Sequence, residues 1–390
     1  MNRLLKTCLT AIILMVATHS SFASTWIVEQ GGSSGFHVIQ DAINFAASGD
    51  TILIGPGRYN EGRIVTTPGW TEFVRVLVHQ EELTIIGAGP EETIIGPTGP
   101  YDPNQGFDKG IVANPHFGCH RIIIENIGFE NMGAGIIGND AAEEISIRNC
   151  LFQSNYNGVY CVGGTGLEIS ACRFVNDGPR GDQLLIYNQF QALISDCDFT
   201  VDDEGTMTHI EHCQTLEVQE SDFFGGGWAL HLVAIGTAEV RNCNFNNQST
   251  TGLAANWVNE CIIEDCVFDQ QMIGIMVNGT NSELSVINSV IANVSHWSIS
   301  IWAVSRLDVT NCILSRGEEF TVRQASDCPT KNQQDLPVLN MINNDWGSDD
   351  AETIASWIHV CDYTVDFIPF IGGPVPTEKS SLGSIKAMYR

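Results

Sequence analysis

The stretch Glu144-Ile-Ser-Ile-Arg-Asn-Cys-Leu-Phe152 returns as Leu167-Glu-Ile-Ser-Ala-Cys-Arg-Phe174 and again as Ala192-Leu-Ile-Ser-Asp-Cys-Asp-Phe199. Further copies run from Leu216 to Phe223, Ala238 to Phe245, Ile262 to Phe268, Leu284 to Ile291 and Leu307 to Leu314. An earlier copy, Ile122 to Phe129, lacks the cysteine. The closing apolar residue falls at 129, 152, 174, 199, 223, 245, 268, 291 and 314, in steps of 22 to 25 residues. A fixed period of this length is the mark of a solenoid.

Each unit holds two or three short runs with period-2 alternation, separated by Asn, Asp and Gly, which reads as strands and turns. A unit this short cannot enclose a core alone. Coils stacked about 4.8 Å apart can, with each strand pairing to its equivalent in the next coil. The interior is then a set of like-on-like ladders. One is the corner series Ile127, Cys150, Cys172, Cys197, Ser221, Cys243, Cys266, Ser289 and Cys312; beside it runs the Phe ladder. Six cysteines in a row suggest either a metal or redox wire, or a tight corner that needs a small, soft group, for which Ser substitutes at two rungs. No C-x-x-C pair supports structural zinc. Cys328 and Cys361, outside the ladder, are the disulfide candidates.

Residues 1–23 read as a secretory signal peptide. Arg3 and Lys6 precede the apolar run Cys8 to Ala17, and Ser21-Phe22-Ala23 supplies a cleavage site before Ser24. No later stretch approaches about 18 continuous apolar residues, so no membrane span is expected. The expected location is secreted, periplasmic or cell surface. Cleavage would leave 16 basic residues against 46 acidic ones, a net charge of −30. That field disfavours nucleic acid, whose phosphates need Lys and Arg. A monomer is expected.

At the N-terminal end, Val38 to Ala47 has helical spacing and could close the first coil. It runs into Ser48-Gly-Asp-Thr-Ile-Leu-Ile-Gly-Pro-Gly-Arg-Tyr59. At the far end stand Asn344-Asp-Trp-Gly347, a helical Ala351 to Ile358 and Val365-Asp-Phe-Ile-Pro-Phe370. These segments resemble the pectin-lyase-like right-handed parallel β-helix family, over roughly residues 36–370. The resemblance implies an all-β fold: a right-handed parallel β-helix over residues 24–370, with an N-terminal capping helix and a short C-terminal helical cap. It implies no single reaction, since that family includes lyases, hydrolases, esterases, epimerases and non-enzymes. Residues 371–390 form a flexible tail whose end, Gly383 to Arg390, is basic and apolar; it reads as a frayed terminus or a sorting tag.

Activity in that family sits on an outward sheet face. The second strand of each coil aligns from Ile136 to Asn139 through to Ile299 to Trp302, with alternate positions outward. One outward column is Ile137, Tyr160, Leu185, His209, His231, Ala254, Met276 and Ser300. Its neighbour is Asn139, Val162, Tyr187, Glu211, Val233, Asn256, Asn278 and Trp302. The middle gathers Tyr160, Tyr187, His209, Glu211 and His231, with His212 at the strand end. The two longest coils place Asn176 to Asp182 and Asp202 to Gly205 beside it, as loops over functional patches do. His209, Glu211, His231, Asp182 and Arg180 are therefore the catalytic candidates, and Tyr160, Tyr187, Asn256 and Trp302 the substrate-binding ones.

Asp182 and Glu211 are the candidate carboxylates for a hydrolase; Arg180 with Tyr187 or His209 would serve a lyase. Lys109 and Lys331 fall off the face. Polygalacturonase and pectin-esterase patterns are missing. Asp202, Asp203 and Glu204 read either as a calcium site or as a solvated acidic turn. His209, His231 and Glu211 are a candidate zinc or copper set. The expected function is an exported protein that binds an extracellular polysaccharide on this face, with lyase or hydrolase cleavage as the further option. The alternative is a non-catalytic surface or adhesion scaffold.

Overall fold

In a computed structural model, the described residues run from 23 to 371, except 33–34, 68–69, 103–106, 114–118, 140–142, 177–180, 203–204, 318–319, 325–337, 361–362 and 369. The chain is a parallel β-solenoid of about 13 turns with very little helix. Each central coil gives one strand to each of three sheets. Glu144–Arg148 lies in the first, Leu151–Gln153 in the second and Asn157–Val162 in the third, before Gly166–Ser170 returns to the first. The repeat sets the register: Ile145 pairs with Leu167, Ile147 with Ile169, and Phe152 with Phe174.

The core is the predicted pair of ladders. From Phe129 to Phe268 successive phenylalanine rings stack with centroids 4.6–5.1 Å apart and planes within 10° of parallel. Just before each rung of the corner ladder, one residue takes the left-handed conformation, from Asn126 and Asn149 through Asp196 to Asn288 and Asn311. Asn and Asp tolerate that region best, which explains their recurrence there. The next residue closes the turn. Cys150 Sγ donates to Arg148 O at 3.3 Å, Cys197 Sγ to Ser195 O at 3.2 Å, and Ser221 Oγ to Gln219 O at 2.8 Å. Ser alternates with Cys because both are small donors, so packing alone does not define the position. Asn344 continues the ladder past Cys312, its Oδ1 accepting from Cys312 N at 2.8 Å. The ten described cysteines are buried thiols outside any disulfide, and burial pushes those such as Cys161 and Cys312 up to about 12. Such thiols are inert at neutral pH. Cys328 and Cys361 lie outside the described residues.

The ends differ from the repeat. The N-terminal helix is Ile39–Phe45, with Ile39, Gln40, Ala42 and Ile43 buried. Gln40 bonds both backbone groups of Leu77, at 2.7 and 3.0 Å, as a neighbouring strand would. Arg63–Thr67 pairs antiparallel with Trp70–Val78 at the edge of the third sheet. No residue pattern marks this pairing, because the segment lacks the Cys-x-Phe corner of the repeat. Near this edge Val65, Val74, Leu77, Val112, Ala134 and Ile137 form a second apolar cluster, packed against Phe107 and Tyr160. Ile137, expected on an open face, is therefore buried. The C-terminal helix is Ala351–Ser356, shorter than expected; Ile358–His359 is instead a strand beside Val322–Gln324. Among the described residues no helix is long and apolar enough to cross a membrane.

Candidate functional site

The third sheet carries the face. Tyr160 pairs with Leu185, Leu185 with His209, His209 with His231 and His231 with Ala254. In the next column Val162, Tyr187, Glu211, Val233, Asn256 and Asn278 follow one another. The alternation that buries Leu184, Ile186, Thr208, Ile210, Leu230 and Leu232 aims these side chains outward. Ala254 and Ser300, expected to be open positions of the first column, are buried. Trp302 departs from the expected column. The register slips at Asn278, which pairs with Ala303, so Trp302 is the extra residue of a bulge and stands 51% exposed.

Five rings form a continuous strip across the coils. Tyr160 meets Tyr187 at 6.3 Å between centroids, Tyr187 meets His209 at 5.7 Å, and His209 meets His231 at 4.8 Å. Trp228 joins the end, 4.9 Å from His231. Trp228 was not anticipated, because it opens its strand ahead of the aligned positions.

The ionisable groups interleave with this strip. Glu211 Oε2 is 3.5 Å from His209 Nε2, and its Oε1 is 3.1 Å from His212 Nε2. His212 reaches back because it occupies the left-handed corner residue, φ 55°. His209 Nε2 is buried without a hydrogen-bond partner, so it retains an unused donor or acceptor. Asp182, just ahead of the strand Leu184–Tyr187, is hydrogen-bonded to Thr206 and lies near His209. Burial pushes its carboxyl up, against the pull of His209 and Thr206. Burial and then His209 bring His231 down to about 4, with Glu211 opposing. The neutral ring accepts at Nε2 from the Asn256 amide, 3.0 Å away. Asn256 is thus engaged with His231. Burial first, then Glu211, Asp182 and Tyr160, raise the Tyr187 phenol. Beneath the site Gln183 is wholly buried, and neither of its amide atoms has a partner.

Asp182, His209, Glu211, His231, Tyr160 and Tyr187 are therefore brought together, while Trp302 is set apart by its bulge. Arg180 lies outside the described residues, as do Asp203 and Glu204; Asp202 is exposed. Among the described residues no three His, Cys, Asp or Glu side chains are placed to hold a metal ion. The candidate zinc or copper set of His209, His231 and Glu211 is not among groups so placed. What the arrangement offers is proton transfer: a carboxyl that burial keeps protonated to higher pH lies near His209, and a second carboxylate, Glu211, is bracketed by His209 and His212.

A separate cleft of about 830 Å³ opens at the N-terminal end of the solenoid, lined by residues that include Phe73, Tyr101, Phe107 and Asp108. Arg75 on its wall is buried, holding Asp108 and Asn60 at 2.9 Å each. Lys109 is ion-paired with Glu72, and burial brings it down to about 8. The cleft has no signature in the residue pattern, because only burial distinguishes these residues from surface charges.

No protein-family model and no curated protein matches the chain. Among solved structures, ORF18 of Geobacillus virus E2 aligns at 14% identity with a TM-score of 0.31, covering 94% of this chain and 65% of that one. The chain thus spans slightly less than two thirds of that protein's length.

Proposed function

We propose that this protein is exported and binds an extracellular polysaccharide along the outward face of the third sheet. The observation that carries the reading is the strip of Tyr160, Tyr187, His209, His231 and Trp228, which runs ring to ring across adjoining coils. Ring faces suit the C–H faces of sugars. The reaction we propose on this face is hydrolysis. Asp182 would protonate the leaving oxygen, and Glu211 would act as the base or nucleophile. We further propose a right-handed winding, with Ile39–Phe45 and Ala351–Ser356 closing the ends, by likeness to pectin-lyase-like proteins.

The test sets the mature protein against a panel of neutral and acidic polysaccharides, reading binding and new reducing ends. His209→Ala, Glu211→Ala and Asp182→Asn serve as controls. Binding lost in His209→Ala, and reducing ends lost in the two carboxylate variants, are the expected results. Binding without product would remove the hydrolytic reading. No binding to any polysaccharide would leave the scaffold as the better account.

A further inference from the structure

Each strand at the centre of the third sheet is followed by one left-handed corner residue: Asn188, His212, Ala234 and Trp257, with φ between 53° and 55°. The backbone work at this corner is the same in all four. Its N–H donates to the next coil, Asn188 to Glu211 O at 2.9 Å, His212 to Val233 O at 3.0 Å, Ala234 to Asn256 O at 2.8 Å and Trp257 to Asn278 O at 2.6 Å. None of that requires a side chain. A bulky aromatic is poorly suited to this conformation, whereas asparagine accepts it. Nor does packing account for the indole, because Trp257 is 60% exposed. The fold accommodates an ill-suited residue and gains little burial from it, which is the signature of a position kept for something outside the fold.

Its surroundings say what that is. Trp257 directly follows Asn256, whose amide holds His231 at the end of the aromatic strip. In the next coil the corresponding position is Gly279, where an added Cβ would lie 3.1 Å from Trp257 Cα. One coil beyond, the bulge sets Trp302 apart, also exposed. Bulges beside functional sites re-aim a side chain. Two exposed indoles thus stand two coils apart, one at a left-handed corner and one at a bulge, with a bare glycine between them.

Resting on the polysaccharide reading above, we infer that Trp257 is a sugar-stacking subsite continuing the His209–His231 strip, with Trp302 as the next platform, and that the ligand is a neutral polysaccharide. The negative face of an indole attracts the weakly positive C–H face of a pyranose. The chain's net charge of −28 works against a polyanion.

The test is Trp257→Asn, which places at this corner the residue that Asn188 already supplies two coils before Ala234. Melting temperature and affinity for neutral polysaccharides are measured together, with His209→Ala as a second variant. The expected result is a melting temperature equal to or above the parent's, with affinity weakened about tenfold or more. A parent that binds, His209→Ala that does not, and Trp257→Asn within about twofold of the parent would overturn the subsite while leaving the polysaccharide reading intact. A fall in melting temperature would overturn it too, by showing that the indole serves the fold. A parent that binds acidic polysaccharides in preference to neutral ones would overturn the ligand class. A parent that binds no polysaccharide would remove the underlying reading, and this inference with it.

Discussion

His209 and His231 meet edge to face on adjoining coils, with ring centroids 4.8 Å apart and planes at 80°. Burial disfavours the charged form of His231 and the neighbouring His209 adds to the cost, which is why His231 falls from 6.5 to about 4. Between those values the unfolded chain takes up a proton that the folded chain refuses. Stability therefore falls as pH drops from about 6.5 toward 4, by roughly 2–3 kcal/mol from this ring once solvent screening of its exposed part is allowed for. Urea midpoints at several pH values should fall more steeply for the parent than for His231→Gln. Equal slopes would show that the ring is not held neutral.

Asp182 carries the opposite sign. Its folded pKa is raised by burial, so ionisation costs stability at neutral pH, and that cost disappears below the unfolded value. Asp182→Asn should be more stable than the parent at pH 7, with the gain shrinking toward pH 3. If Asp182 is the proton donor, the same variant should lose hydrolysis by a factor of about 10²–10⁴. A stabilised variant with full activity would remove Asp182 from the mechanism.

Gln183 offers a simpler trial. An unpaired buried amide costs about 1–3 kcal/mol, and both polar atoms of this one lack partners. Gln183→Met, similar in volume and without hydrogen-bonding groups, should raise stability by about that amount. Measured destabilisation would mean that the amide has a partner such as a buried water.

The two ladders should respond unequally. Phe199 is buried between Phe174 and Phe223, and Phe199→Ala should cost about 3–5 kcal/mol in denaturant unfolding. Cys172→Ser keeps the turn-closing donor that Ser221 and Ser289 supply natively, and should cost no more than about 1.5 kcal/mol. Cys172→Val removes the donor and adds bulk, and should cost more than the serine. If valine proved the milder change, packing would define the corner after all.

What could be read from the residues is what repeats. Nine closing apolar positions gave the coils, and the alternation around His209 and His231 gave their pairing, because stacked coils permit only one register once the apolar side is fixed. Departures from the repeat escaped the reading. Trp302 was aligned one position off, since a bulge leaves no trace in the alternation of Ile299 and Ile301. The Arg75–Asp108 and Lys109–Glu72 pairs were invisible because charge in a sequence carries no mark of depth. Trp257 was passed over for a related reason. Its interest lies in φ, and no residue pattern shows that a tryptophan has been put where an asparagine belongs.

Because each coil adds one residue to every outward column at about 4.8 Å, the solenoid is also a ruler. Its graduations are the paired side chains of Tyr187, Glu211, Val233 and Asn256, and its divisions do not depend on what the marks are. Duplicating or excising one whole coil would lengthen or shorten the reach of the face by a single graduation and leave every other pairing as it was. Reach and chemistry are then separately heritable: coil number sets the length of the face, and a few residues near His209 set its chemical character.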